Sequence, residues 1–208
     1  MTDRTRITRL ADKAVTDRAA LDALLDEVLV GHLAFVDEHG LPVVLPTAVA
    51  RDGGRVLLHG STGSRWMRRV ATGVPVSLAV TALDAVVVAR SAFESSMHYR
   101  SAVLFGSCAP VPHAEKPAAL AVVTEHLLPG RVAEIRGSTP RELAATLVLA
   151  LAVDEWSLKA SAAWPDDPPD DVAGDAWAGV VPLRTVRETP QPAPDLRDGV
   201  PLPPSLRP

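Results

Sequence analysis

The spacing of apolar positions changes period several times along the chain, and each change marks an element. In residues 16–29, "TDRAALDALLDEVL", Leu21, Leu24, Leu25 and Val28 recur at helical spacing, with Thr16 or Asp17 where a cap belongs. "VGHLAFVD" then reads as a strand, "EHG" as a turn and "LPVVLPTAVA" as a returning strand. Pro42 and Pro46 remove amide donors from that strand, which puts it at an edge or on a bulge. "RDGG" is a turn and "RVLLH" a third strand, so the three predict an antiparallel meander. "RWMRRVAT" predicts a short helix ending near Gly73. "VPVSLAVTAL" and "DAVVVARSAF" predict two strands joined at Asp84, and "MHYRSAVLFGSCAPV" one long strand with a bulge or bend at Gly106.

"AEKPAALAVVTEHLL" predicts a helix stopped by Pro129 and Gly130. "STPRELAAT" carries a helix start: Thr139 at the cap, Pro140 at the first position and Glu142 completing a capping box. "TLVLALAVDEWSLKA" reads as a last core strand, with a helix as the alternative. Six or so strands, few helices and no strand–helix alternation predict a mainly β, α+β fold: an antiparallel split β-barrel with peripheral helices. Beyond Trp164 the chain turns acidic and proline-rich in "PDDPPDDVAGD", and more than half of the 19 prolines lie there. "AWAGVVPLRTV" is an ordered island within it. The expected organisation is one domain over residues 1–188 and an extended, mobile proline-rich tail over 189–208.

Composition narrows the function. A net charge of −4 over 208 residues argues against nucleic acid as the main partner. "MTDRTRITRLADKAVTDRAA" has no apolar centre and is no signal peptide. The longest aliphatic stretch, Leu143 to Val153, is shorter than the roughly 17–25 residues a membrane helix needs. Cys108 is the only cysteine, so no intramolecular disulfide and no thiolate cluster is expected. The six histidines lack metal-pair spacing, and no metal site is expected. The expected location is the cytoplasm.

Three stretches carry candidate chemistry. In "LLHGSTGSRWMRRV" an apolar strand stops on His59, turns through small and hydroxyl residues including Ser61 and Ser64, and enters a helix at Arg65. Backbone N–H groups and an arginine fork at a helix start attract phosphate; the alternative is a Ser64-capped helix whose arginines face water. In "SSMHYRSAVLFG", strand alternation puts His98 and Arg100 on one face and Tyr99, the only tyrosine, with Ser101 on the other. Trp177 stands in the ordered island, where a hydrophobic anchor is the simpler role. Cys108, in an apolar strand, reads as an inert buried thiol.

Taken in order, "GHLAFVDEHGLPVVLPT", "LLHGSTGSR", "ARSAFESSMHYRSAVLFG", "LPGRVAEIRGSTPRELAAT" and "WAGVVPL" resemble the flavin-binding split-barrel proteins of the pyridoxamine 5'-phosphate oxidase superfamily, nearest the branch of the nitroimidazole reductases. The resemblance implies a homodimer with FMN in a groove. It implies that Arg65 holds the FMN phosphate beside Ser61 and Ser64, and that His59 lies at the flavin ring as the catalytic candidate. It further implies that Pro46 and Thr47 of "LPT" face the isoalloxazine, and that Tyr99, Arg100, Ser101 and Trp177 touch the cofactor. Two departures stand out: "KASAAWP" from Lys159 replaces the branch's "KxRxGxP", and Ser101 replaces a glutamine, which argues against pyridoxamine phosphate oxidation itself. The implied activity is an FMN-dependent oxidoreductase passing hydride or electrons from reduced flavin to a small organic substrate, with a nicotinamide donor. The alternatives on the same barrel are a non-catalytic flavin or haem-binding protein and a deazaflavin-dependent reductase.

Overall fold

The computed structural model describes residues 3–207; residues 1, 2 and 208 of the two expected units lie outside the described residues. A two-residue strand β1 (Ala14–Val15) leads into α1 (Arg18–Glu27). Of the two expected caps Asp17 is the one used, its carboxylate accepting the Ala19 N–H at 2.9 Å. Leu21, Leu24 and Leu25 are buried along one side of α1, as their spacing predicts. The chain continues through β2 (Val30–Val36), β3 (Pro42–Ala48), β4 (Ala50–Asp52), β5 (Arg55–Ser61), α2 (Arg65–Ala71), β6 (Pro75–Val88) and β7 (Ser96–Pro110). There follow α3 (Lys116–Leu127), α4 (Pro140–Ala145), β8 (Thr146–Ala152), β9 (Glu155–Ser161), α5 (Pro169–Val172) and β10 (Gly179–Pro182). Every strand pairing is antiparallel, in the order β3-β2-β6-β7-β8-β5-β4, with β9 on β7, β1 on β9 and β10 on β6. The fold is the expected antiparallel split barrel.

Three element boundaries correct the sequence reading. The meander is broken, because "LPVVLPTAVA" is two strands: β3 pairs with β2, Val49 is buried at a bend, and β4 pairs with β5. β3 and β4 stand at opposite ends of the strand order, so this one bent segment links both edges of the sheet and closes it into a barrel. The two strands expected to meet at Asp84 are one, β6, and Asp84 is its bulge: Leu83 faces Tyr99 and Ala85 already faces His98. The single last strand is divided into β8 and β9 by another extra residue. Cys108 faces Leu151 and Phe105 faces Glu155, so two residues of β7 oppose three, Ala152 to Asp154. Gly106 lies where β7 exchanges β9 for β8 as its neighbour, and a Cβ there would stand 3.0 Å from Leu151 Cδ1.

The core divides in two. The larger cluster fills the barrel with Leu33, Leu58, Leu78, Leu104, Leu149 and Leu151, capped by α1 and by Met67 and Val70 of α2. A smaller cluster outside it packs Ala119 and Val123 of α3 against Ala50, Leu57, Val111 and Val148. Cys108 belongs to the first; burial pushes its thiol up to about 12, so it stays protonated and inert. Thr139 and Glu142 make the full capping box of α4. The regular element within residues 183–207 is one short 3-10 turn, Pro204–Leu206, and Ser205 is fastened to the Glu134 carboxylate through both its N–H and its hydroxyl.

Candidate functional site

The turn from β5 to α2 is held by its own small side chains. Ser61 Oγ accepts the Gly63 N–H at 3.1 Å, the Ser61 carbonyl accepts the Ser64 N–H at 3.0 Å, and the Ala145 carbonyl accepts the Thr62 N–H at 2.9 Å. Ser64 caps the helix by accepting the Met67 N–H at a long 3.5 Å. These bonds leave the N–H groups of Arg65 and Trp66 as the turn's unengaged donors among the described residues. The Arg65 side chain is 79% exposed and gives Nη2 to Glu38 Oε1 at 2.8 Å, at the tip of the β2–β3 hairpin. That contact holds the Glu38 carboxyl below the usual carboxylate range.

A groove of about 390 Å³ opens between this hairpin and α2. Its floor is Phe35, Val43 and Leu45, its wall is Trp66, and Arg65 and Arg69 stand at the rim with Asp37 and Glu38. Arg69 donates to the carbonyls of Val36 (3.2 Å) and Asp37 (3.4 Å), which ties α2 to the hairpin. The sequence signal for this groove is the i, i+4 pair Arg65 and Arg69 flanking Trp66 on one helix, and it was not read as a unit.

His59 lies on the outer side of β5 with Leu57, opposite Val148 of β8. Its Nδ1 is buried with no hydrogen-bond partner, and burial pulls the ring's pKa below its ordinary value, so the imidazole is neutral at neutral pH. Ser61 shares that side of β5, at the strand's exposed end. Tyr99 and Ser101 lie on the outer side of β7, opposite Leu83 and Thr81 of β6. Arg100 points the other way, into the end of the barrel. It gives Nε and Nη2 to Asp84 at 3.0 and 2.6 Å, and Nη1 and Nη2 to Glu27 at 2.6 and 2.9 Å. Four of its N–H groups are therefore engaged by carboxylates, a feature the sequence reading did not include.

Pro46 is on the outer side of β3 opposite His32, and Thr47 alternates inward opposite Gly31. β3 is an edge strand, as its prolines require. Around His32 the outer side of β3 and β2 exposes Val30, Val36 and Val44, an apolar surface without cover in one chain. Trp177 is 67% exposed and folds over Gly179 of β10, where a Cβ would come within 2.7 Å of the indole. Of the ten candidate residues, the structure thus gathers His59, Ser61, Ser64 and Arg65 along β5 and its turn. It sets Pro46, Tyr99 and Ser101 on the outer barrel face, Thr47 and Arg100 facing inward, and Trp177 at the β10 end.

A second cavity, about 620 Å³, lies between the N-terminal segment and β9, walled by Ile7, Val15, Trp156 and Leu158. No histidine, cysteine, methionine or tyrosine lines it. Lys159, the first residue of "KASAAWP", lies on β9 and donates to the Arg9 carbonyl at 2.9 Å. No group of three or more metal-binding side chains occurs among the described residues, and no helix among them is long and apolar enough to cross a membrane.

The family model described as pyridoxamine 5'-phosphate oxidase matches residues 17–160, from the α1 cap into β9. The chain belongs to this family. Among solved structures, the FAD and haem binding protein from Mycobacterium smegmatis is 51% identical, with a TM-score of 0.90 over 93% of this chain and 95% of that one. The flavocytochrome Anf3 from Azotobacter vinelandii is 32% identical, with a TM-score of 0.91 over 99% of this chain and 95% of that one. A FAD-binding protein from Mesorhizobium loti shares the fold at 15% identity, with a TM-score of 0.50 over 70% of this chain and 96% of that one. No curated protein matches the sequence. Pyridoxamine 5'-phosphate oxidase family residues thus run into β9, and the connector, β10 and the tail lie beyond the matched region.

Proposed function

We propose that this protein is a redox flavoprotein carrying both a flavin and haem, with FAD rather than FMN as the flavin. The observation that carries the reading is the 51% identity, across nearly the whole of both chains, to a protein described as binding FAD and haem. The 32% identical flavocytochrome supports it independently. This reading stands nearer to a flavin or haem-binding protein than to an enzyme that uses FMN alone.

The residues present suit both groups. For the flavin, Arg65 has Nε and Nη1 beyond its Glu38 contact to offer a phosphate, with Ser61 and Ser64 beside it. The orphaned Nδ1 and neutral ring of His59 suit a residue set against a cofactor rather than against water. For haem, the strand histidines differ: His98 donates Nε2 to the Ala163 carbonyl at 2.9 Å, whereas His32 and His59 have no hydrogen bond to another described residue. His32, exposed amid an apolar surface, is the histidine we assign to the iron. The two groups, when bound, supply hydride or one-electron transfer at the flavin and one-electron transfer at the iron. The chain's part is to hold them and to receive a small organic electron acceptor, with a nicotinamide as reductant.

A homodimer belongs to this reading. Tyr99 and Ser101 lie on a different side of the barrel from the β5–α2 turn, so one flavin touching both groups is shared by two copies. The test is the absorption spectrum of the purified protein after incubation with FAD, FMN and hemin, followed by release and chromatography of the bound flavin. Flavin bands with a Soret band, and FAD as the released flavin, are expected. Protein that stays colourless overturns the reading, and a flavin spectrum without a Soret band removes its haem half. Light scattering of the loaded protein at the mass of one 22.0 kDa chain overturns the dimer.

A further inference from the structure

We propose that the groove between α2 and the β2–β3 hairpin seats the AMP half of the dinucleotide, and so decides FAD over FMN. This inference rests on the flavin reading above and adds to it the place and the residues of discrimination. FMN and FAD share the isoalloxazine, the ribityl chain and the first phosphate; they differ by a second phosphate, a ribose and adenine. A protein that prefers FAD therefore needs a second space next to the phosphate anchor, with an aromatic wall and further positive charge.

The groove meets each demand. Arg65, the phosphate candidate, forms its rim, so the space begins where the shared part of the two flavins ends. Its volume of about 390 Å³ falls within the range of small-molecule pockets, roughly 300–1,000 Å³. The floor of Phe35, Val43 and Leu45 is apolar, and the half-buried Trp66 offers an indole face to a flat base. Base stacking of this kind asks for no particular hydrogen-bond pattern, only for a π surface and exclusion of water.

The rim carries N–H donors for an anion. Two arginines face two carboxylates, and one oxygen of each carboxylate is already engaged. Asp37 accepts the N–H groups of His39 and Leu41 at 2.8 and 2.9 Å, holding its own turn. Glu38 is bound to Arg65 Nη2, which fixes the guanidinium and leaves its Nε and Nη1 for phosphate oxygens. Arg69 is held by two hairpin carbonyls through Nε and Nη2, leaving Nη1. Glu38 is thus a positioning residue, acting on the ligand through Arg65.

The experiment compares apoprotein titrated with FAD, FMN and riboflavin, by calorimetry, for wild type, Trp66→Leu and Val43→Phe. Trp66→Leu removes the stacking wall; Val43→Phe fills the groove from its floor and tests the same space if the first variant folds poorly. Wild type should prefer FAD over FMN by about tenfold or more, the worth of one stacked base. Either variant should bring FAD affinity down to that of FMN while FMN and riboflavin stay within about twofold of wild type. Two results overturn the groove assignment alone: wild type that binds FMN as tightly as FAD, or variants that weaken both flavins alike. Wild type that binds no flavin at all instead overturns the flavin reading, and the groove assignment with it.

Discussion

Arg100 is the residue for which sequence and structure suggest the most different roles, and replacing it by alanine separates them. As a cofactor contact its loss should affect ligand binding and little else. In the structure it joins three elements: its own strand β7, the bulge at Asp84 on β6, and Glu27 at the end of α1. Glu27 is the last residue of its helix, where the helix dipole disfavours a carboxylate, and Arg100 offsets that. Alanine leaves Asp84 and Glu27 facing a shared space with no cation between them. Exposed ion pairs contribute about 0–1 kcal/mol, and truncating one partner of a buried pair costs about 3–5 kcal/mol. Arg100 is 33% exposed, with partners 37% and 53% exposed, so solvent screening brings the expected loss to about 2 kcal/mol.

For a domain of this length that loss should lower the melting temperature by roughly 4–8 °C, read by circular dichroism at neutral pH. Arg100→Lys should recover less than half of it, because an ammonium cannot bridge two carboxylates with a planar fork. The pH dependence supplies a second check. Arg100 holds the Asp84 carboxyl below its ordinary value, so the bond stabilises the fold above the unfolded value near 3.9 and fades as pH falls through the folded one. The gap between wild type and Arg100→Ala should therefore close below about pH 4. FAD affinity should stay within about twofold. A variant that melts like wild type but loses FAD tenfold would refute the reasoning and return Arg100 to the cofactor.

Two further outcomes follow from buried groups. Burial lowers the His59 pKa, so the unfolded chain binds that proton first, and stability falls as pH drops through about 6.5; His59→Leu should flatten the decline in melting temperature between pH 7.5 and 5, and an equal slope in both proteins rules this out. The Asp167 carboxylate is 1% exposed and accepts both the Arg90 N–H at 2.9 Å and Nη1 at 3.0 Å, pinning the acidic connector to the β6–β7 turn. Asp167→Ala should free residues 162–178 for limited proteolysis at least about tenfold faster than wild type, with the barrel left intact on the gel, since opening rates follow local stability; unchanged cleavage there contradicts the pin.

What the sequence made legible was local. The α1 stripe, the Asp17 cap and the Thr139–Glu142 box involve neighbours within a turn or two, and each stands as expected. The bulges were half legible. Apolar residues of β6 hold the inner side at Val76, Leu78, Val80 and Ala82, then change parity to Ala85 and Val87. A one-residue slip of that kind marks an extra residue as much as a turn, and only the partner strand decides between them. Leu149, Leu151 and Val153 giving way to Trp156 and Leu158 is the same slip between β8 and β9. The bend at Val49 left no such mark, because alternation runs through it unbroken. Its cause is global: β3 and β4 take partners at opposite ends of the sheet.

Space for a ligand arises beside α2. The helices that pack at the kink, against β4, are α1 and α3, whereas α2, whose seven residues span about 10 Å, packs against β7. A helix so short buries only Met67 and Val70 fully. Its first turn, carrying Arg65 and Trp66, overhangs the β2–β3 hairpin instead of packing flat against it. Arg69 and Glu38 then fix the overhang at two points, and between them the inner residues of the hairpin, Val43 and Leu45, are left partly uncovered. The groove is thus a product of this overhang, and its chemistry comes from which residues the overhanging turn carries. Local sequence supplied those residues in plain view; that they meet Glu38, 27 residues earlier, is decided by the hairpin's length and the helix's place over it.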